Sequence, residues 1–263
     1  MPELPEVEMF KRYLDATSLR QRIHVVDVRN AYILKEISGR ELARRLKGRC
    51  FESSRRYGKH LFVRADEDVW LRLHFGMTGS LQYLKHQKQA PPAHTRVLFV
   101  FANKHRLALD DQRKFGEIEL LKDIDAFLEK RELGPDALDV SLSQFKEILR
   151  THRGAVKSIL LNQKLIAGIG NIYADEILFH ARFHPATEIH CFDDKALTKL
   201  FRAMRYILKT AIKARADANE MPSSWLLPRR EKSGKCPRCG RKLRSAKIAG
   251  RTAWFCAYCQ KRI

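Results

Sequence analysis

The chain contains no long apolar run. Its longest, Val97 to Ala102, is six residues, far below the ~20 that a bilayer-spanning helix needs, so no transmembrane helix is expected. A secretory leader is not expected either. Glu3, Glu6 and Glu8 stand where a signal peptide would carry cations and then an apolar stretch, and a cytoplasmic location follows. Acid is scarce: 30 Asp and Glu face 51 Lys and Arg, a formal charge of +21. Such an excess points to a polyanionic partner, most simply nucleic acid, with a ribosomal or membrane-surface role as the alternative. Internal repeats and low-complexity segments are missing, which excludes a solenoid or a disordered tail. What remains is a chain of 263 residues, 44% hydrophobic, enough for one large domain or two modest ones.

Cysteine is sparse except in one place. Cys50 and Cys191 stand alone and read as packing residues, whereas Cys236-Pro-Arg-Cys239 and Cys256-Ala-Tyr-Cys259 form two Cys-x-x-Cys knuckles with sixteen residues between them. In a chain outside the oxidising compartments this spacing favours a tetrahedral Zn2+ over disulfides. Four protein thiolates leave no open position on the metal, so one structural zinc is expected. Between the knuckles, Leu243–Ile248 and Thr252–Phe255 read as a hairpin around Ala249-Gly250, with Arg251 at its tip. From Arg229 to Ile263 there are twelve Lys or Arg and one acid, Glu231. Such a hairpin is placed to grip phosphates, though a solvated basic tail has the same composition.

The hydrophobic pattern changes halfway along. A helix is expected over residues 5–19. Arg22–Val28, Cys50–Arg56, His60–Ala65, Val69–Phe75, Arg96–Phe101 and Gly116–Leu121 then read as strands, and short strands with turns between them imply a β-sandwich. Leu71, Leu73 and Phe75 alternate with Arg72 and His74, a half-buried pattern. Val97–Phe101 is apolar on both faces. Leu133-Gly134-Pro135-Asp136 breaks the pattern and opens a linker over 133–141. Helices follow over 142–150 and 156–165, from Asn171 onward, and along the stripe Leu197, Leu200, Phe201, Met204, Leu208, Ala211 and Ile212. The expected domains are a β-sandwich over 1–132, a helical domain over 142–233 and a zinc finger over 234–263.

The chemistry is concentrated at the amino terminus, Met1-Pro2-Glu3-Leu4-Pro5-Glu6-Val7-Glu8. If Met1 is removed, the Pro2 nitrogen is a free secondary amine, and α-amines titrate near neutrality. Such an amine can attack an electrophilic carbon and form an imine, and Glu3 beside it can transfer a proton. A proline that merely starts a helix is the plain alternative. Gly168-Ile169-Gly170-Asn171 leads into a helix whose N-terminus could meet a phosphate or simply be capped by Asn171. Tyr57-Gly58-Lys59-His60 reads as a hairpin turn carrying a cation. In Phe75-Gly76-Met77-Thr78-Gly79 the flanking glycines let Met77 project as an apolar wedge. Arg113-Lys114-Phe115 adds a cation and an aromatic. On pattern alone Met77 and Phe115 are expected in the core, and Lys59 on the surface.

These stretches together resemble the formamidopyrimidine-DNA glycosylase and endonuclease VIII family, and Leu4-Pro5-Glu6-Val7 resembles its formamidopyrimidine branch. The resemblance covers nearly the whole chain. It implies an α+β fold: an N-terminal β-sandwich with flanking helices, then a helix-two-turn-helix domain over Lys157 to Phe179 with a four-cysteine zinc-finger hairpin. It implies Pro2 as nucleophile, Glu3 as acid/base, and Lys59 and Arg251 in the catalytic machinery. It also implies DNA contacts from His94, Lys157, Asn171 and Arg251, with Met77, Arg113 and Phe115 filling the gap left by a flipped nucleotide. The implied activity is that of a bifunctional glycosylase and AP lyase of base excision repair. It would act as a monomer on damaged double-stranded DNA and cleave the strand by β,δ-elimination. A catalytically silent damaged-DNA binder on the same scaffold is the chief alternative, and a zinc-ribbon RNA or ribosome binder the other. Glu3 and Lys59 favour the enzyme, since simple binding needs neither. Two departures stand out. Asp111-Gln112-Arg113-Lys114 replaces the family's Asp-Pro-Arg-Arg. The segment 217–233 is shorter than the loop that closes over 8-oxoguanine, so ring-opened purines, hydantoins and abasic sites are the expected substrates. Trp225 in that segment is either a flat face for a base or a core residue.

Overall fold

The structure, a computed structural model, describes residues 2–262. Met1, whose removal the Pro2 chemistry requires, lies outside the described residues. The chain forms two compact units, one of residues 2 and 6–131, the other of residues 3–5 and 132–262. None of the described helices is long and apolar enough to cross a membrane.

The first unit is a sandwich of two four-stranded antiparallel sheets. One has the order β1 (Ile23–Val28), β6 (Thr95–Phe101), β7 (Arg106–Asp110), β5 (Ser80–Leu84); the other β2 (Ser53–Tyr57), β3 (His60–Asp66), β4 (Val69–His74), β8 (Glu117–Leu121). Both sheets feed one core, with Leu61, Val63, Leu71 and Leu73 from the second and Val97, Phe99, Leu107 and Leu109 from the first. The helix α1 (Leu4–Ser18) adds Val7 and Leu14 to it. The strands β5 and β7 escape sequence reading because polar residues such as Gln82 and Arg106 interrupt them. Also unforeseen is α2 (Gly39–Leu46), although Ser38, whose Oγ accepts from the Glu41 amide at 3.1 Å, supplies an N-terminal cap.

One strand differs instructively from its pattern. The alternation puts Arg72 on a solvated face, but α3 (Ile124–Lys130) covers that face, and Arg72 is fully buried. Phe127 of α3 lies 4.8 Å from its guanidinium carbon, and Glu117 and Glu119 accept its hydrogen bonds at 2.9 and 2.8–2.9 Å. The unpaired alternative would be a bare buried charge, which proteins do not tolerate. His60 and His74 join this cluster with ring centroids 5.0 Å apart. Burial, reinforced by the Arg72 charge, lowers the His74 pKa to about 4, and burial followed by the His74 charge pushes His60 well below its usual value.

The second unit is helical. It comprises α4 (Leu142–Arg150), α5 (Val156–Leu161), α6 (Asn171–Ala181), α7 (Asp194–Lys213) and a hairpin of β9 (Arg244–Ile248) with β10 (Arg251–Phe255). α4 starts on a capping box made by Ser141 and Gln144. α5 stops four residues earlier than expected, because the Asn162 side chain accepts from the Lys164 amide at 3.0 Å and turns the chain. The stretch read as a linker is bonded into this unit: the Gly134 amide donates to the Gln163 carbonyl and that of Ala137 to the Ala167 carbonyl, both at 3.0 Å. Trp225 is only 3% exposed and packs in the helical core, so it offers no face to a base.

The two histidines set a pH dependence. Both titrate lower in the folded chain than in the unfolded one, so the folded state binds fewer protons and stability falls as pH falls from about 6.5 toward 4. For His74 the expected loss between pH 7 and 5 is about 1–2 kcal/mol. Thermal unfolding across that range checks it. His74→Gln should flatten the slope, and an unchanged slope would contradict the assignment.

Candidate active site and zinc centre

The Gly-x-Gly turn before α6 is built around Glu3. The Glu3 side chain is 1% exposed. Its Oε2 accepts from the amides of Gly170 at 2.8 Å and Tyr173 at 3.2 Å, and its Oε1 from that of Ile172 at 2.9 Å. These are amides at the start of a helix, where no backbone acceptor exists and the helix dipole favours an anion. The glycines have separate reasons. Gly168 has φ of +112°, and a Cβ there would lie 2.5 Å from Leu4 Cδ1; a Cβ at Gly170 would lie 2.2 Å from Glu3 Cδ. The Leu4 amide completes the seat by donating to the Gly168 carbonyl at 3.1 Å. The amides read as a phosphate site are thus spent on a carboxylate from the start of the chain. Pro2, half-buried, precedes that carboxylate directly.

α6 also holds the hairpin. Asp175, buried at 1% exposure, accepts from Lys157 Nζ at 2.6 Å, from Arg230 Nη2 at 2.7 Å and from the Trp254 amide at 3.1 Å. The resemblance puts Lys157 at a phosphate, but here it is fully buried. Burial lowers its pKa and the Asp175 charge opposes that shift. Lys157 Nζ and Asn171 Nδ2 both donate to the Thr252 carbonyl, at 3.4 and 3.1 Å. They fix the residue that follows Arg251, which is itself exposed. Arg251 is the first residue of β10 and pairs with Ile248 across a two-residue turn. Ala249 and Gly250 in that turn have φ of +48° and +71°, the signs a type I′ turn requires. Sequence reading did not single out Asp175 or Glu176, though two adjacent acids inside an otherwise apolar helix are a legible signal. Burial raises the Glu176 pKa to about 7, and its carboxylate accepts from the amides of Leu226 at 2.9 Å and Leu227 at 3.0 Å.

The four cysteines converge. Their Sγ atoms lie within 4.8 Å of one another, with Cys236–Cys259 at 3.8 Å and Cys239–Cys256 at 3.6 Å. A tetrahedron with Zn–S near 2.3 Å has edges of about 3.8 Å. The donor set and spacing fit one structural Zn2+ held by Cys236, Cys239, Cys256 and Cys259.

In the first unit, Gly58 and Lys59 form the two-residue turn between β2 and β3, and Lys59 is 8% exposed rather than on the surface. Met77 and Phe115 are 40% and 52% exposed, so neither is core. The Arg113 guanidinium lies 4.9 Å from the Phe115 ring centroid. His94 is half-buried, and its carbonyl accepts from the Asp111 amide at 3.1 Å.

Sandwich, helix-two-turn-helix element and four-cysteine hairpin together define an α+β protein of the helix-two-turn-helix, zinc-finger class. Three family models match in series: the formamidopyrimidine-DNA glycosylase N-terminal domain over residues 1–118, the H2TH domain of the same enzyme over 133–223, and a zinc finger found in FPG and IleRS over 233–262. Curated relatives named formamidopyrimidine-DNA glycosylase include those of Pelotomaculum thermopropionicum, 34% identical over 99% of both chains, and Carboxydothermus hydrogenoformans, 35% identical over 99% of this chain and all of that one. The crystal structure of the Lactococcus lactis enzyme bound non-covalently to DNA with an AP site is 31% identical, with a TM-score of 0.90 over 99% of this chain and all of that chain. The chain belongs to the formamidopyrimidine-DNA glycosylase family.

The zinc site makes a direct prediction. A finger this small has no adequate core without metal, so binding and folding are coupled. Purified protein should carry one zinc per chain. Chelation, or Cys239→Ser, should red-shift the emission of Trp254, which packs against this cluster, and leave the sandwich folded. Elemental analysis finding no metal in untreated protein would contradict it.

Proposed function

We propose that the protein is a bifunctional DNA glycosylase and AP lyase of base excision repair that removes oxidised bases from duplex DNA. The observation that carries this reading is the Glu3 carboxylate, fixed by three amides immediately after Pro2. That carboxylate caps α6, and the same three bonds keep it directly after Pro2, where it suits a proton carrier beside a nucleophile. The wedge-like exposure of Met77 and Phe115 and the cation surplus support DNA as the substrate. In this reading the N-terminal β-sandwich carries catalysis and the H2TH and zinc-finger segments grip phosphates, with Arg251 in contact and Lys157 and Asn171 holding its hairpin. The protein works as a cytoplasmic monomer on double-stranded DNA.

The chemistry runs as follows. With Met1 gone, the Pro2 nitrogen lone pair attacks C1′ of the flipped nucleotide. The bond from C1′ to the base breaks, and its electron pair leaves with the base, which takes up a proton. Glu3 takes the proton that the Pro2 nitrogen sheds after its attack and passes it to O4′ as the C1′–O4′ bond opens, and the freed nitrogen lone pair forms an iminium. That cation acidifies the C2′ proton; its loss expels the 3′-phosphate with the C–O electron pair. A second elimination expels the 5′-phosphate, and water releases Pro2. The structural zinc only folds the hairpin.

Substrate range follows from the segment 217–233. Met221, Trp225 and Leu226 are buried, at 7%, 3% and 0% exposure, and Glu176 holds the amides of Leu226 and Leu227. A short segment pinned to the core at these three positions has little slack to reach a purine edge, and a site without such polar contacts discriminates weakly. Formamidopyrimidines, hydantoins and abasic sites are expected above 8-oxoguanine, with some oxidised pyrimidines accepted.

The test is single-turnover excision on duplexes that differ only in the lesion. Glu3→Gln should slow base excision by ~10²-fold or more and retain some cleavage at a preformed abasic site. A catalytically silent binder would excise nothing in any duplex. Removal of 8-oxoguanine opposite cytosine as fast as a formamidopyrimidine would overturn the substrate assignment.

A further inference from the structure

Two loops of the first unit, flanked by the strand pairs His74–Glu117 and Ser80–Asp110, share a hydroxyl bridge between their tips. The turn Phe75–Gly79 carries Met77 at its middle and is closed by the Gly79 amide on the Phe75 carbonyl at 2.8 Å. The loop 111–116 carries Arg113 and Phe115. Between them, Thr78 Oγ1 donates to Asp111 Oδ1 at 2.5 Å and accepts from the Arg113 amide at 3.0 Å. Asp111, 1% exposed, gives its other oxygen to the Gly116 amide at 2.7 Å. The loops touch with no room to spare: a Cβ on Gly76, whose φ is +56°, would lie 2.4 Å from the Phe115 carbonyl carbon. Arg96 holds the second loop from beneath, donating from Nε to the Asp111 carbonyl at 2.7 Å and from Nη2 to the Gln112 carbonyl at 3.2 Å.

These bonds hold a strained backbone. Lys114 has φ of +58°, a left-handed conformation that costs a side-chain-bearing residue roughly 1 kcal/mol or more. The amides on either side of it in the loop, those of Arg113 and Gly116, are the two captured by Thr78 and Asp111. Two of the chain's exposed large apolar side chains, Met77 and Phe115, therefore stand on loops held at their ends by the strand pairs His74–Glu117 and Ser80–Asp110 and tied between those ends by one buried carboxylate and one hydroxyl. Pre-organisation of this kind spares the cost of ordering two loops when a group is inserted.

We infer that Thr78, acting through Asp111, is a positioning residue that locks the Met77 and Phe115 loops into one rigid wedge for entering the base stack. This rests on the proposed function only in taking Met77 as the inserted group. No residue here touches reacting atoms, so the lock should act on the unstacking step alone.

The experiment measures unstacking without chemistry. Full-length, zinc-loaded protein is mixed by stopped flow with a duplex holding an uncleavable tetrahydrofuran site opposite 2-aminopurine, and the fluorescence rise on insertion is followed. Thr78→Val, which keeps the shape and removes the hydroxyl, should slow the rise about tenfold or more, the scale set by losing a hydrogen bond to a charged group. Thr78→Ser should restore the rate to within about twofold. In a Met77→Ala, Phe115→Ala background, Thr78→Val should add nothing, because both groups it positions are gone. If Thr78→Val fails to fold, Thr78→Ala leaves room for a water at Asp111 and carries the same expectation. A Thr78→Val rate equal to wild type, or an equal slowing with and without Met77 and Phe115, would overturn the lock and leave Thr78 an ordinary stabilising residue. Whether wild-type protein forms a borohydride-trapped complex on abasic DNA is measured separately, and its failure would strike the glycosylase and lyase reading, not the lock.

Discussion

A carboxylate held by the first amides of a helix governs the second unit. Glu3 fills the N-terminus of α6 with three hydrogen bonds, and the two glycines before the helix exist in the form they do because Glu3 and Leu4 occupy the space a side chain would need. The interaction satisfies donors that no backbone group could reach and places negative charge at the positive end of a dipole. Bonds between an ionised group and amides are among the stronger ones a protein makes. The same helix one turn further on uses Asp175 to hold Lys157, Arg230 and the β10 backbone, and Glu176 to hold the Leu226 and Leu227 amides. A single helix therefore seats the Glu3 carboxylate, the zinc hairpin and the segment around Leu226 and Leu227.

The large positive charge is managed by separating its uses. Two of the buried cations, Arg72 and Lys157, meet the buried acids Glu119 and Asp175, which is the condition for taking an ion out of water. Arg251, by contrast, is exposed, its position set by a turn with both residues at positive φ and by two donors on the Thr252 carbonyl. Scarcity of acid makes this economical: the few carboxylates inside the molecule each hold several donors.

Much of this was legible in the sequence, and the exceptions share a cause. The four cysteines reveal their role through spacing, because a metal site made of two knuckles is nearly local. The α4 boundaries and the Gly58-Lys59 turn follow from local rules for the same reason. Pro2, Glu3, Met77 and Phe115 were identifiable as a group only through resemblance to the family; residue pattern alone placed the last two in the core, and the structure exposes them. What pattern could not show was pairing at long range. Glu3 and Gly170 are 167 residues apart, so the amides of α6 looked free for a phosphate. Arg72 looked solvated because α3, which covers it, gave no signal in the strand itself. Nothing in the pattern showed that Asp175, eighteen residues on, is brought against Lys157, or that Trp225 packs in the helical core.

The central claim is that the Pro2 nitrogen, with Glu3 held beside it in the chain, is the nucleophile. Its most direct measurement is peptide mapping by mass spectrometry of the complex formed with abasic-site DNA and reduced with borohydride. The account predicts a chain lacking Met1, with the reduced sugar carried on the nitrogen of Pro2. A sugar found on Lys59 or on any other lysine, with Pro2 unmodified, would contradict it.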